Sequence, residues 1–334
     1  MIFQNAELHG VTELSPAGDG SFRFHRAAAA LEPSLSEGGR DMNTAATGVE
    51  LRFVLHSGKA RVTLVNERSD MPLMLMLYYG SVMAGWQSVR QYVEPGRHTL
   101  EIDAPSADFC AAVRRGWPDM RYAPEMVRLV FQVGRARIVS VEGDVTPPAP
   151  DMAPARTLLC YGSSITHGSL SILPTNSYVV RVAEALGMDY RNCGYAGNCR
   201  MEPEMADYLA QQPFDACTLE MGVNVLGMDP AEYERRVRYL VRRVAESHPD
   251  KPVFAIDVFY CDDDLFGRGR AARYRAILAR VTSELALPNV HYVNGLRVLP
   301  DARGLSGDLV HPSVRGVETL AANLSAIMKA EMSR

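Results

Sequence analysis

The stretch Tyr161-Gly162-Ser163-Ser164-Ile165-Thr166-His167-Gly168 follows an apolar run and sets hydroxyl groups in a turn. A serine hydroxyl is a poor nucleophile at neutral pH unless a base removes its proton during attack. Near the C-terminus, Asp308-Leu309-Val310-His311 supplies a base and a carboxylate to orient it. An aspartate three residues before a histidine can fold back onto Nδ1, fixing the tautomer and leaving Nε2 outward as general base. Either segment alone reads as an ordinary turn or surface loop; together, with Ser164 as nucleophile, they point to acyl transfer. Such chemistry also needs donors aimed at a developing oxyanion. Asn192-Cys193-Gly194-Tyr195-Ala196-Gly197-Asn198 can expose backbone N–H groups, and Met221-Gly222-Val223-Asn224 ends in a side-chain amide.

Other candidates carry less. His167 either bonds to backbone within its turn or touches substrate. His25, His56, His98, His248 and His291 lack a carboxylate at comparable spacing and are read as structural. Asp262-Asp263-Asp264 has no second cluster to complete a metal site and reads as a solvated loop or helix cap. Arg235, Arg236, Arg238, Arg242 and Arg243 cover the polar side of an amphipathic helix. No Gly-x-Ser-x-Gly elbow, P-loop or His-Glu-x-x-His pair occurs. The six cysteines lack zinc-ligand spacing and are expected as buried thiols, with Cys193 and Cys199 as the one pair that could oxidise.

The elements that position these residues change character along the chain. Before residue 143, apolar residues alternate: Leu51, Phe53 and Leu55; Val62 and Leu64; Leu100 and Ile102; Leu129, Phe131 and Val133. Period-two alternation between Gly, Pro, Asn and Asp punctuation predicts an antiparallel all-β sandwich over 1–144. Residues 19–41 stay open between a short helix and a loop. A proline-rich linker, 145–156, forms the expected domain boundary. Beyond it, the runs Thr157–Tyr161, Phe214–Leu219, Pro252–Val258 and Asn289–Val293 alternate with helical repeats such as Tyr233, Val237, Leu240, Val241 and Val244, capped by Asp229 and Pro230. This predicts a three-layer α/β/α domain over 157–334, with its site at the C-terminal strand ends.

Composition narrows the partners. A formal net charge of -4 gives no reason to expect nucleic acid or an anionic membrane. The sequence shows neither a leader nor a spanning segment, which predicts a cytoplasmic protein acting on a small neutral substrate.

Four such blocks in one order resemble the SGNH superfamily of GDSL-type lipases and esterases. The resemblance covers roughly 157–332 and rests on Gly162-Ser163-Ser164-Ile165-Thr166, the Gly194–Gly197 turn, Gly222-Val223-Asn224 and Asp308-Leu309-Val310-His311-Pro312. It implies Ser164 as nucleophile, His311 as base and Asp308 as orienting acid. The oxyanion hole would comprise the backbone N–H groups of Ser164 and Gly197 and the amide of Asn224, and neither a cofactor nor a metal is implied. Ser163, Ala196 and Val225 replace an aspartate, a serine and an aspartate usual in the family. The Ser-Ser-Ile-Thr form resembles a subgroup with a jelly-roll-like, carbohydrate-binding-module-like sandwich ahead of the hydrolase domain. That subgroup includes carbohydrate esterases and an acyltransferase. The expected activity is removal of a small acyl group, foremost acetyl, from a sugar or other polyol. The alternatives are acyl transfer to an alcohol and non-catalytic glycan binding.

Overall fold

The alternation of Leu51, Phe53, Val62 and Leu64 is realised in a single 17-residue strand, Glu50–Asn66. The computed structural model describes residues 1–67, 73–85, 92–132, 134–171 and 174–333; Val133, expected to extend one alternating run, lies outside the described residues. Ser57-Gly58 interrupts the apolar pattern without ending the strand. Gly58 has φ +66, and the facing strand Ala136–Thr146 shifts register at Glu142/Asp144, so the chain kinks and continues. The first part of the long strand pairs antiparallel with Ala6–His9 and Met126–Phe131, and the last part with Gly96–Asp103. Leu73–Tyr79 adds beyond Met126–Phe131. Leu51, Phe53, Val62, Leu100, Leu129 and Ile138 meet in one dry core, the interior of a β sandwich.

Three details differ from the sequence expectation. The β unit contains a helix, Ala107–Gly116, capped by Ser106; Phe109, Cys110 and Val113 share one face, but ten residues make too short a stripe to stand out among the strands. The linker starts later than 145, because Val145 and Thr146 still pair with Leu55 and Val54 before Pro147 removes the next donor. The chain also divides differently: one unit gathers Met1–Ala29 and Asn43–Ala155, while Ala30–Met42 belongs with the unit that begins at Arg156. That early segment forms a 3-10 turn, Ala29–Ser34, and a helix, Glu37–Asn43.

The second unit is a five-stranded parallel sheet in the order Asp189–Gly194, Thr157–Gly162, Ala216–Glu220, Val253–Ile256, Val290–Val293. The first strand in sequence lies between the second and third, so the connections diverge and open a crevice at its C-terminal end. The helix Pro230–Ser247 starts as expected, with the Asp229 carboxylate accepting the N–H groups of Ala231 and Glu232. Its arginines are paired rather than merely solvated: Arg235 and Arg236 with Glu232, Arg238 with Glu234 and Glu284, and Arg243 with Asp207. All six cysteines are buried free thiols. No helix among the described residues is long and apolar enough to cross a membrane.

On the face of Glu50–Asn66 opposite its apolar core, Arg52 and Arg128 stand directly across from one another. Like charges so placed repel, and Glu50 resolves the conflict. Its carboxylate accepts two bonds from Arg128, at 2.8 and 2.6 Å, and one from Arg52 at 2.8 Å. Arg128 also lies 3.7 Å from the Tyr122 ring centre. Burial disfavours the Glu50 anion, but the two guanidinium groups outweigh it and hold the carboxyl far below its usual range. Removing one partner strands a buried charge. Arg128→Ala should therefore cost about 3–5 kcal/mol, measured by denaturant unfolding; a loss below 1 kcal/mol would show that the cluster relaxes.

Candidate active site

The strand Thr157–Gly162 delivers Ser163 and Ser164 to the crevice, where a short helix, Ser164–His167, begins. Ser163 is the N-cap, and its hydroxyl accepts the Ile165 N–H at 3.2 Å. The two serines differ structurally: Ser163 is fully buried in a capping role, while Ser164 lines the pocket. Beneath the turn lies Glu220, the last residue of the adjacent strand and 1% exposed. One of its carboxylate oxygens accepts the Ser163 N–H at 2.6 Å and the Thr166 hydroxyl at 3.1 Å. Thr166 in turn bonds the Tyr178 hydroxyl at 2.7 Å. A side chain at position 162 would meet Thr166 Oγ1 at 2.1 Å and this Glu220 oxygen at 2.6 Å, so glycine is required there. Burial pushes the Glu220 carboxyl above its ordinary pKa, against the pull of the Ser163 and Thr166 donors. Glu220 carries no motif in the sequence; its one signal there is a charge that closes the strand run Ala216-Cys217-Thr218-Leu219.

His311 reaches the same pocket from the loop before the helix Val314–Met332. Its Nε2 lies 2.7 Å from Ser164 Oγ and its Nδ1 lies 2.6 Å from Asp308 Oδ2. The other Asp308 oxygen accepts the N–H groups of Val310 and His311, both at 2.9 Å, and the Ser306 hydroxyl at 2.8 Å. Leu309, at φ +60, takes the left-handed conformation that turns the chain back. Partial burial disfavours the Asp308 anion, yet these donors prevail and hold its carboxyl well below the usual range. An ionised Asp308 holds Nδ1 as the protonated nitrogen and leaves Nε2 to accept from Ser164.

The remaining predicted residues gather here, with one exception. Gly197 and Asn224 line the pocket, about 670 Å³ in volume, together with Ser164, Asp308 and His311. Asn224 Oδ1 accepts the Cys199 N–H at 3.1 Å, which orients the amide so that its NH2 is the group left for a ligand. The turn carrying Gly197 is held by Asn198, whose Nδ2 donates to Ala196 O at 2.9 Å and whose Oδ1 accepts the Ser36 hydroxyl at 2.8 Å. Ser36 belongs to the early segment of this unit and carried no motif. His167 is the exception. It is buried, with Nδ1 3.0 Å from the Gly194 carbonyl, and is not among the residues that line the pocket. The three aspartates at 262–264 form a capped helical turn rather than a solvated loop: Asp262 pairs with Arg268, Asp263 with Arg270 and Asp264 with Arg275.

A parallel sheet with helices, carrying a serine, a histidine and a carboxylate in contact beyond its C-terminal edge, defines an α/β unit. Residues 160–318 match the GDSL-like lipase/acylhydrolase family. That match falls within the α/β unit and spans all four blocks, as the sequence led one to expect. No curated protein matches the sequence. Among solved structures, a salicylyl-acyltransferase from a tetracycline biosynthetic pathway is 20% identical with a TM-score of 0.79, over 98% of this chain and 94% of that one. A putative GDSL-like lipase from Bacteroides ovatus is 16% identical with a TM-score of 0.66, over 98% of both chains. A family two carbohydrate esterase from Cellvibrio japonicus is 12% identical with a TM-score of 0.62, over 99% of this chain and 96% of that one. At these identities the likeness is one of fold.

Glu220 gives a pH test. Because its folded pKa is raised, the native state keeps a proton that the unfolded chain has already lost, so stability falls as pH climbs from the ordinary carboxylate range through the raised value. Glu220→Gln retains an oxygen for the Ser163 N–H and lacks this titration. Denaturant unfolding of both proteins between about pH 4 and about pH 8 should show a falling contribution in the wild type alone. Parallel profiles would contradict the assignment.

Proposed function

We propose that the protein is a serine esterase that removes a small acyl group, foremost acetyl, from a carbohydrate or similar polyol. The observation that carries this reading is the continuous chain Ser164 Oγ–His311 Nε2–His311 Nδ1–Asp308 Oδ2, at 2.7 and 2.6 Å, opening on a pocket with an oriented amide donor. Ser164 attacks the ester carbonyl as His311 takes its proton, and Asp308 stabilises the imidazolium. The Asn224 amide, with the backbone N–H groups of Ser164 and Gly197, receives the oxyanion of the tetrahedral intermediate. His311 then protonates the departing alcohol, and a water deprotonated by the same imidazole releases the acid. The fold likeness to a carbohydrate esterase supports the sugar ester as substrate class.

A second reading keeps the acyl-serine intermediate and passes the acyl group to an alcohol other than water. The likeness to the salicylyl-acyltransferase, which extends over nearly the whole chain, favours it. Supplying an acyl donor with candidate alcohols and comparing new ester with free acid separates the two. The assembled serine–histidine–aspartate chain speaks against a purely glycan-binding role.

Ser164→Ala should abolish turnover of 4-nitrophenyl acetate and labelling by a fluorophosphonate probe, whereas Ser163→Ala should keep the probe reaction. The reverse result moves the nucleophile by one residue. Asn224→Ala should lower kcat on the order of a hundredfold, with KM changed much less; unchanged kcat would remove Asn224 from the oxyanion hole.

A further inference from the structure

The pocket that holds the triad also holds a guanidinium the acyl-transfer mechanism does not use. Arg270 lines it alongside Ser164, Asn224 and His311. It opens the helix Arg270–Leu285, and the preceding turn is tied to the triad loop, since the Asp262 N–H donates to Leu309 O at 2.8 Å. Its Nε donates to the buried Asp263 at 2.8 Å, while its two terminal NH2 groups make no hydrogen bond among the described residues. The side chain is 51% exposed.

The other charges around the pocket are already matched. Asp308 is bonded to His311 and Asp262 is paired with Arg268. Asp263 does not need the whole guanidinium, because it also accepts the Ala271 N–H at 2.7 Å at the helix start. The helix terminus is therefore capped, and the donors left for a ligand are those of the arginine fork. A planar fork held at one nitrogen, with its terminal donors unpaired on a side chain that lines the pocket, matches a carboxylate.

We propose that Arg270 is a specificity-determining residue that binds a carboxylate carried by the ester substrate; the inference rests on the esterase reading for the reaction, though not for the contact. The carboxylate can sit on the alcohol portion, as in an acetylated sugar acid, or on the acyl portion, as in a dicarboxylic half-ester. Matched pairs separate these: 4-acetoxybenzoate against its methyl ester, and 4-nitrophenyl hemisuccinate against 4-nitrophenyl pentanoate. In one arm the wild type should prefer the charged member by about tenfold in kcat/KM, carried by KM, and the preference should shrink with added salt.

In Arg270→Gln the charged-to-neutral ratio should fall to about one. The ratio is taken within each protein, so a shared loss of activity cancels. Arg270→Lys keeps a cation beside Asp263 and should retain only part of the preference, which covers the case in which the glutamine variant does not fold. No preference in either arm of the wild type overturns the inference, as does a preference undiminished in the variants. Calorimetric binding of 4-hydroxybenzoate, weakened in the lysine variant, reads the contact without turnover. Loss of fluorophosphonate labelling and of all ester turnover, with that binding intact, would instead sink the esterase reading alone.

Discussion

The site depends on one buried carboxylate at the end of the sheet's central strand, beside the strand that leads to Ser164. Glu220 takes the Ser163 N–H and the Thr166 hydroxyl, and so fixes both the entry to the nucleophile turn and the helix that follows it. Without that acceptor the Ser163 N–H would be buried and unpaired, at a cost of about 1–3 kcal/mol, and the turn would have reason to reorganise. The same placement dictates glycine at 162. The turn that brings Ser164 to His311 thus begins and ends on groups that bond to Glu220.

Three carboxylates in the chain show how the choice of partner sets ionisation. Glu50 is buried against two guanidinium groups and is driven strongly towards the charged form. Asp308, largely in reach of solvent, is charged because backbone N–H groups converge on it. Glu220 is as buried as Glu50 but has only neutral donors, and burial wins. Each outcome suits its location: a structural ion cluster, an orienting anion, and a support whose charge would be costly if unmatched.

Much of this was legible in the sequence. Strand periods, the Asp229 cap, and the glycine, serine, asparagine and histidine blocks follow short-range rules; the first three blocks sit at strand ends, and the fourth in the loop before the last helix. What was hidden is long-range. The Glu220 role depends on which strand lies beside Thr157–Gly162, and Ser36 on a contact with a residue far along the chain. His167 looked chemical from its neighbours, but a helical turn directs it inward. The Ala107–Gly116 helix has an apolar face of only Phe109, Cys110 and Val113, and the long Glu50–Asn66 strand hides behind a glycine that kinks it.

The early segment Ala30–Met42 bears on the modularity of the protein. Although the two units have separate cores, the chain leaves the first unit to supply part of the second and then returns. A cut at the proline-rich connection would therefore not yield the α/β unit whole: the turn bearing Gly197 would lose the hydroxyl that steadies Asn198. During synthesis, residues 30–42 emerge long before the loop they support, so that part of the α/β unit must wait for its partner. Exchange of front domains by recombination would be constrained for the same reason, because any replacement must carry an equivalent of Ser36.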